Sequence, residues 1–414
     1  MKVKLSSIAL FFLYFYLVTE TFGGLLLYVL SLVGLESLFY IRDLSFIVII
    51  FLYLIVVATK LKIRKGDLIL FFIFIIQFLW GLINLPNIYL VLFGVKLFLP
   101  LFAGYFIYYF YEQDEIKISK TFIYSLWIVS VGGVLMNYFI YFPWEGHTVN
   151  IGNIDIETSR SWNAYGTEFR RLVGFTRGAS AVAINIAVFS LFSILKYKSN
   201  YRNFLIIIIT VIVLLLTTMK GVFLAYFATI CCILLYERFR NIIHYVPLAS
   251  FIISAIVVLF SNILLYIFLT QNQLIFIAIY SFLDRMYRVW PEGVSLIMEN
   301  GNAIFGRGIG GIGVSQIYFE SHNYNPADNL FLHIWGNFGM IGVAALLYVL
   351  YFLGRVKIQL KEIVFVYIVL LFTINGITSA VTSNAIYNLF FGVSIGFIIS
   401  KINEKGISNN NNQK

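Results

Sequence analysis

The sequence has few charged residues for its length. Of 414 residues, only 12% are Asp, Glu, Lys or Arg, whereas 61% are hydrophobic. Ordinary soluble domains have about 25% charged residues. This scarcity of charge excludes a soluble globular protein.

Cysteine and histidine are also scarce, with two and four residues respectively. Cys231 and Cys232 are adjacent within an apolar run, which suggests neither a disulfide framework nor a metal site. There is no His-Glu-x-x-His motif and no paired His/Cys cluster. We therefore expect no bound metal.

Long apolar runs fill most of the chain instead. Most of them have about 17 to 25 residues, enough to cross a hydrocarbon core of about 30 Å. They predict an all-α, polytopic helical membrane protein with about 12 transmembrane helices. The twelve runs lie at about 6–34, 44–59, 67–84, 88–110, 121–142, 178–195, 203–219, 221–236, 246–269, 329–353, 362–378 and 385–400. Glu20, Gly23 and Gly24 interrupt the first run, so two shorter helices are an alternative there.

Basic residues are distributed unevenly between alternate loops. If the N-terminus is cytoplasmic, most Lys and Arg residues fall on the cytoplasmic side, as the positive-inside rule requires. The net charge of +10 is then mainly a topology signal and not a nucleic-acid site. We expect one integral membrane domain over 1–400, with Lys2 and Lys4 ahead of a retained signal anchor. The asparagine-rich segment 401–414 is expected to be a disordered cytoplasmic tail.

Two outer loops are longer than simple connections require, at about 143–177 and 270–328. The second lies between the ninth and tenth predicted spans and is the larger. Within it, Pro291 after Trp290 predicts a short helix through Met298 along the membrane surface. Any chemistry is therefore expected outside the cytoplasm.

Cations in and near these loops are unexpected, because the positive-inside rule disfavours them there. Arginine forks suit bidentate contact with a pyrophosphate group. The alternative is that they extend towards lipid headgroups or pair with Glu168, Asp284 or Glu292. The cations are Arg170, Arg171, Arg177, Lys220, Arg285 and Arg288. Lys96 lies deep in an apolar run, with Glu20 as its only obvious counter-charge, and both are expected to be structural.

His322 and Asp328 flank the return of the chain into an apolar helix, and either is a candidate general base. The alternatives are that Asp328 caps the helix beginning at Asn329, and that His322 is a solvent-exposed loop residue. The preceding glycine run, from Gly306 to Gly313, predicts a tight non-helical loop whose backbone N–H groups approach an anion.

At these residues the chain resembles the O-antigen polymerase and O-antigen ligase superfamily of integral membrane glycosyltransferases. In that family an arginine and a tryptophan precede a Gly-x-Gly-x-Gly run, and a His-Asn or Asp-Asn pair leads into a helix with Gly-x-x-Gly. The corresponding residues are Arg285 or Arg288, Trp290, Gly306, Gly308, Gly310, Asp328, Asn329, Gly339 and Gly342. The stretch 171–176 resembles the family's Arg-Leu-x-Gly-x-Phe stretch, one residue shorter, and Lys220 replaces the arginine of Ser-Arg-Gly. Ligases usually have histidine in the position of Asp328, which favours a polymerase.

The resemblance implies that undecaprenyl-pyrophosphate-linked oligosaccharides react at the outer face of the bacterial inner membrane. It implies that Asp328, His322, Arg288 and Arg285 are catalytic, and that Arg171, Arg170, Lys220, Trp290 and Asn329 bind substrate. No metal, nucleotide or other cofactor is implied. Further expected partners are membrane lipids and a chain-length regulator and flippase of the same pathway, with no nucleic acid.

Two other functions remain open from the sequence. An O-antigen ligase would transfer finished polymer to lipid A core. A polysaccharide flippase or secondary transporter would instead place binding residues near the membrane midplane, on broken helices. Aromatic loop residues, namely Trp144, Trp162, Tyr318 and Tyr324, are candidates for stacking on sugars or for an interfacial belt.

Overall fold

The computed structural model describes residues 4–60, 64–113, 116–151, 154–160, 163, 169–194, 200–268, 280–356, 358 and 362–411. The protein is 77% helical with almost no sheet, which confirms the all-α class. Helices form at the apolar runs because every backbone polar group in lipid must find its partner within the protein.

The helices are α1 (Leu5–Thr21), α2 (Gly23–Leu32), α3 (Ile41–Lys60), α4 (Lys65–Asn84), α5 (Ile88–Glu112), α6 (Lys120–Phe139), α7 (Ala179–Ile194), α8 (Asn200–Leu216), α9 (Lys220–Leu234), α10 (Tyr236–Ile243), α11 (Val246–Leu259), α12 (Ser261–Phe268), α13 (Trp290–Glu299), α14 (Val314–Phe319), α15 (Leu330–Leu353), α16 (Ile363–Asn375) and α17 (Ala385–Asn411). A π-helix covers Arg285–Val289, and short 3₁₀ turns cover Glu36–Tyr40, Ser321–Asn323 and Val381–Ser383. Strands β1 (Thr148–Ile151) and β2 (Ile154–Glu157) pair antiparallel, with Val149 opposite Ile156.

Several of these helices could span a membrane. In the described part of the chain, six are long and apolar enough, or up to eight if each of two bent pairs is one span. The pairs are α1 with α2, bent by 80°, and α9 with α10, bent by 116°. Four further apolar helices, α7, α8, α11 and α16, are shorter. The helices indicate a membrane-embedded protein, whereas the number of twelve spans stays a prediction.

Three local predictions can be compared with the structure: the first apolar run, the short helix after Trp290 and the C-terminal tail. The first apolar run forms two helices, α1 and α2, because the chain breaks at Phe22 before Gly23. The short helix predicted after Trp290 exists as α13, with Pro291 in its first turn, and its position along the membrane surface stays a prediction. Helix α17 continues to Asn411, into the segment expected to be a tail.

The chain forms two compact units. One consists of residues 1–56 and 102–230, and the other of residues 57–101 and 231–414. In the first unit, α6 packs against α7 and α7 against α8. Asn137 ties α6 to the second half of the 143–177 loop, because its side-chain oxygen accepts from the Val173 amide at 3.0 Å.

Glu20 lies in this first unit and is not the counter-charge of Lys96, as the sequence suggested. Its carboxylate accepts from Arg42 at 2.7 Å, and both side chains are 11% exposed. Arg42 lies in the first turn of α3, 22 residues after Glu20 in the chain. Lys96 is in the second unit, where its ammonium lies 5.6 Å from the centre of the Phe93 ring.

In the second unit, α11 packs against α15 and α16, and α16 packs against α17. Helix α15 is kinked at Gly339, whose φ of 63° is outside the helical region. The amides of Met340 and Ile341 then donate to Ala303 and Ile304 instead of to the preceding helical turn. The kink therefore fixes the start of the glycine loop against α15.

Candidate functional site

The glycine loop, residues 306–313, is buried in the second unit. Helix α4 holds its start, where the Trp80 indole donates to the Gly306 carbonyl at 3.2 Å and Asn84 donates to the Arg307 carbonyl at 3.1 Å. Four of its glycines have positive φ, at Gly306, Gly308, Gly310 and Gly313. The prediction of a tight non-helical loop is confirmed.

The loop's N–H groups are not arranged around an anion. The Arg307 amide donates to Gly336, the Gly310 amide to the Asn337 side chain, and the Gly313 amide to the Asn325 carbonyl. These three distances are 2.8, 2.8 and 3.0 Å. Because the protein already uses these donors, the anion-binding interpretation is wrong for them. The positive φ values serve close packing instead.

Arg307, the second residue of the glycine loop, lies in the interior. Its guanidinium forms two hydrogen bonds with Glu320, at 2.8 and 3.1 Å, and both side chains are 2% exposed. Burial favours the neutral acid, but the hydrogen bonds and charge of Arg307 hold the pKa of Glu320 below its ordinary value. Both charges of this pair are paired and withdrawn from solvent, so it belongs to the packing of the glycine loop.

Arg285 and Asp328 form a partly exposed ion pair in this loop region. Arg285 Nε donates to Asp328 Oδ2 at 3.0 Å, and Arg285 Nη1 donates to the Ser281 carbonyl at 2.8 Å. Their side chains are 22% and 33% exposed. Burial raises the pKa of Asp328 above its ordinary value, although the charge and hydrogen bond of Arg285 act in the opposite direction. A partly accessible carboxylate with a raised pKa has the properties of a general base.

The backbone at this carboxylate is strained. Ala327 and Asp328 have φ values of 61° and 44°, and the other non-glycine residue with positive φ in the described ranges is Thr218. Residues other than glycine adopt this region at a cost of about 1 kcal/mol or more. Thr218 lies two residues before Lys220, so all three strained positions are at or beside candidate site residues.

Asp328 does not cap the following helix, contrary to the alternative derived from the sequence. The N-cap of α15 is Asn329, whose side-chain oxygen accepts from the Leu332 amide at 3.1 Å. Asn329 has the extended backbone that an N-cap requires, whereas Asp328 has positive φ and turns its carboxylate to Arg285.

Asn329 and Trp290 are both fully buried and contribute to the scaffold. The amide nitrogen of Asn329 donates to the carbonyls of Ser254 and Ile377, at 3.1 and 2.9 Å. Trp290 is 0% exposed and packs edge-to-face on Phe282. Among the described residues its indole N–H has no hydrogen-bond partner. Neither position offers a surface for substrate.

Arg288 and His322 are accessible. Arg288 is 53% exposed and lies 3.3 Å from Asp284 and 3.8 Å from Glu292. Arg288 donates hydrogen bonds to the Asp284 carboxylate, and these raise the pKa of the guanidinium, which is charged at any physiological pH. The pairing with these two acids agrees with the alternative derived from the sequence. His322 is exposed in its 3₁₀ turn, as its own alternative predicted.

The π-helix spaces Arg285 and Arg288 on one short segment. A π-helix has more residues per turn than an α-helix, and such single turns are frequent at functional sites. Tyr287 between them is 73% exposed. The segment therefore presents two arginines near Asp328 and an exposed tyrosine between them.

The remaining candidates belong to the first unit. Arg170 lies 3.4 Å from the buried carboxylate of Glu145, donates to the Asn137 carbonyl and lies 4.4 Å from the centre of the Tyr141 ring. Arg171 is partly buried, and Lys220 is exposed as the first residue of α9.

Of the aromatic candidates, Trp144 is buried and donates its indole N–H to the Gly174 carbonyl at 3.2 Å. Tyr324 is 42% exposed and Tyr318 is half-buried. Trp162 and Glu168 lie outside the described residues. In the described ranges no group of three His, Cys, Asp or Glu residues is placed to hold a metal ion.

Comparison of the chain with models of protein families, with curated proteins and with solved structures finds no match. The family resemblance therefore rests on the residues and motifs quoted above.

Proposed function

We propose that the protein is an O-antigen, or surface polysaccharide, polymerase. It would join undecaprenyl-pyrophosphate-linked repeat units by glycosyl transfer at the outer face of the bacterial inner membrane. The observation that carries the proposal is the group formed by Asp328, Arg285 and Arg288. A partly accessible carboxylate on a strained turn and two arginines on one π-helix are the groups that such a transfer needs.

The transfer needs a base for the acceptor and cations for the leaving group. An acceptor hydroxyl oxygen would attack the anomeric carbon of the donor while its proton passes to Asp328. The bond between the anomeric carbon and the pyrophosphate oxygen breaks, and undecaprenyl pyrophosphate leaves with the electron pair. Arg288, which is 53% exposed, would neutralise the charge that develops there.

Arg285 would act on both sides of this reaction. In the structure its Nε is committed to Asp328. This ion pair would keep Asp328 ionised, and it would hold the charge of Arg285 beside the departing pyrophosphate.

The geometry changes which of the candidate residues we prefer for each role in the reaction. Asp328 is favoured over His322 as the base, because His322 is an exposed loop residue whereas Asp328 lies beside both arginines. Arg170 is paired with the buried Glu145, so its proposed role in substrate binding requires that this pair opens. Arg171 and Lys220 keep the substrate-binding role that the resemblance implies.

The experiment is the polysaccharide banding pattern of a strain deleted for this gene, compared with its parent on a gel. Loss of the ladder, with one repeat unit still attached to the core, is expected for a polymerase. Unsubstituted core with accumulated lipid-linked polymer would instead identify a ligase. A plasmid that carries the gene should restore the ladder in the deletion strain. If it does not, the proposal fails.

A polysaccharide flippase or secondary transporter is the second candidate, and one observation favours it. Helix α15 is broken at Gly339, and the buried His333 in the same helix bonds Thr382 in the break between α16 and α17. Broken helices with buried polar groups are typical of transporter binding sites. Lipid-linked single units trapped on the cytoplasmic side of the deletion strain would favour this function and refute the polymerase.

A further inference from the structure

Asn325 occupies a central position under the candidate site, although nothing in the sequence pattern marks it. It is 3% exposed, and its side chain makes two hydrogen bonds of 2.8 Å. The side-chain nitrogen donates to the Val289 carbonyl, and the side-chain oxygen accepts from the Ala327 amide. An asparagine amide is suited to this arrangement because it offers a donor and an acceptor on one rigid plane.

These two bonds end on the two segments that carry the ion pair. Val289 is the last residue of the π-helix that bears Arg285, and Ala327 directly precedes Asp328. The Asn325 side chain therefore has one hydrogen bond to the segment of Arg285 and one to the segment of Asp328. Asn325 thus fixes the arginine segment and the carboxylate segment relative to each other.

The backbone of Asn325 is itself anchored to the buried interior. Its N–H donates to the Gln316 side chain at 3.2 Å, and its carbonyl accepts from the Gly313 amide at 3.0 Å. Gln316 in turn donates to Glu320, the buried partner of Arg307. The two side-chain hydrogen bonds of Asn325, which we call the clamp, are therefore connected through Gln316 to the buried ion pair of Arg307 and Glu320.

The hydrogen bonds of Asn325 hold the strained turn at Ala327 and Asp328 in place. Ala327 and Asp328 would relax to negative φ if nothing held them, and relaxation would carry the carboxylate away from Arg285. The hydrogen bond from the Ala327 amide to Asn325 opposes that relaxation.

We propose that Asn325 is a positioning residue, which sets the distance between the carboxylate of Asp328 and the guanidinium of Arg285. The inference rests on the proposed polymerase function. Asn325 does not touch substrate; it acts through the two segments that it joins. A misplacement of about 1 Å at a reacting group can cost about 10²-fold in rate.

The test uses two variants, Asn325→Ala and Asn325→Asp, in the full-length protein. Asn325→Asp has nearly the same shape and keeps an oxygen for the Ala327 amide, but it places an acceptor against the Val289 carbonyl. It therefore breaks one arm of the clamp even if truncation to alanine prevents folding. Purified variants in lipid vesicles are fused with membranes of the deletion strain, which hold the accumulated lipid-linked units, and the rate of polymer formation is measured against pH.

We expect both variants to lose about 10²-fold in rate and to lose activity at a higher pH than the parent. The base must be deprotonated to act. When the clamp loosens, Arg285 no longer lowers the pKa of Asp328, so the acidic limb of the profile moves up. Arg288 and Asp284 also face Asp328, and neither is changed in these variants.

Asn323→Ala is the matched control. It removes the same side chain two residues earlier, where the amide donates to Glu320 at 2.9 Å and reaches neither arm of the site. This variant should keep the parent pH profile even if its thermal unfolding temperature falls. A purely structural role of Asn325 would have the same signature, with less folded protein at every pH and an unmoved profile.

Two outcomes are separable. If Asp328→Asn is inactive while both Asn325 variants keep the parent rate and pH profile per folded molecule, the positioning role is overturned and the polymerase proposal stands. If Asp328→Asn itself retains full activity, the carboxylate is not the base and both proposals for this site fail.

Discussion

Replacing Asp328 by asparagine tests the proposed base directly. Asparagine has almost the same size and keeps an oxygen that can accept from Arg285 Nε, which lies 3.0 Å from the carboxylate. It cannot accept a proton at any physiological pH. A positioned general base contributes about 10²- to 10⁴-fold to a rate, so we expect polymer formation to fall by that factor.

The same substitution should leave folding intact, and the structure gives the reasons. The Arg285 and Asp328 side chains are 22% and 33% exposed, and ion pairs near a surface contribute about 1 kcal/mol or less. Asparagine is also among the residues that adopt positive φ most readily, as the φ of 44° at this position requires. A large loss of activity with little loss of stability is therefore the expected combination.

The assay is the polysaccharide ladder of a deletion strain carrying each variant, together with the rate at which membranes convert lipid-linked units into polymer. Glu299→Gln is the matched control, because Glu299 is an exposed acid on α13 whose carboxylate bonds only Ser295 among the contacts of the described residues. The parent profile should lose activity at a pH above that of an ordinary aspartate, since burial raises the pKa of Asp328. A normal ladder from well-expressed Asp328→Asn would refute the reasoning.

Three further predictions follow from the same region. Arg288→Ala and Arg285→Ala should each abolish polymer without loss of membrane insertion, and near-normal chain lengths in both single variants and the double variant would remove the pyrophosphate role. Arg307→Ala should lower the free energy of unfolding by about 3–5 kcal/mol in a detergent melt, because it leaves its 2% exposed carboxylate partner unpaired; an unchanged melting temperature would contradict this. Gly310→Ala should prevent folding, since φ is +86° and a Cβ would overlap a backbone carbonyl of α5, whereas Gly132→Ala, with open space around it, should be neutral.

The sequence predicted the secondary structure of this protein well, because helix formation in an apolar solvent depends on local composition. The runs at α4, α5 and α15 needed only their length and lack of charge to be assigned. Helix α13 followed from Pro291 at its first turn, and the break between α1 and α2 was the alternative that Glu20, Gly23 and Gly24 offered for the first run. The positive φ at glycine positions was likewise expected from residue type.

The tertiary structure alone decided which side chains form ion pairs and which residue caps the helix. Glu20 pairs with Arg42 and Arg307 with Glu320, and the helix cap is Asn329. Each outcome depends on which side chains the packing of distant segments brings within about 3 Å, and spacing along the chain does not encode that. The sequence could name Arg285 and Asp328 as candidates, but only the fold places the guanidinium against the carboxylate.

The glycine loop illustrates the same division. Its glycines predicted a tight loop, which is a property of the backbone at each residue. Whether the loop's N–H groups face a ligand or the protein depends on what packs around them, and here α4, α5 and α15 surround them. Asn325 escaped the sequence analysis for this reason, because its two hydrogen bonds join residues that lie 36 positions earlier and two positions later in the chain.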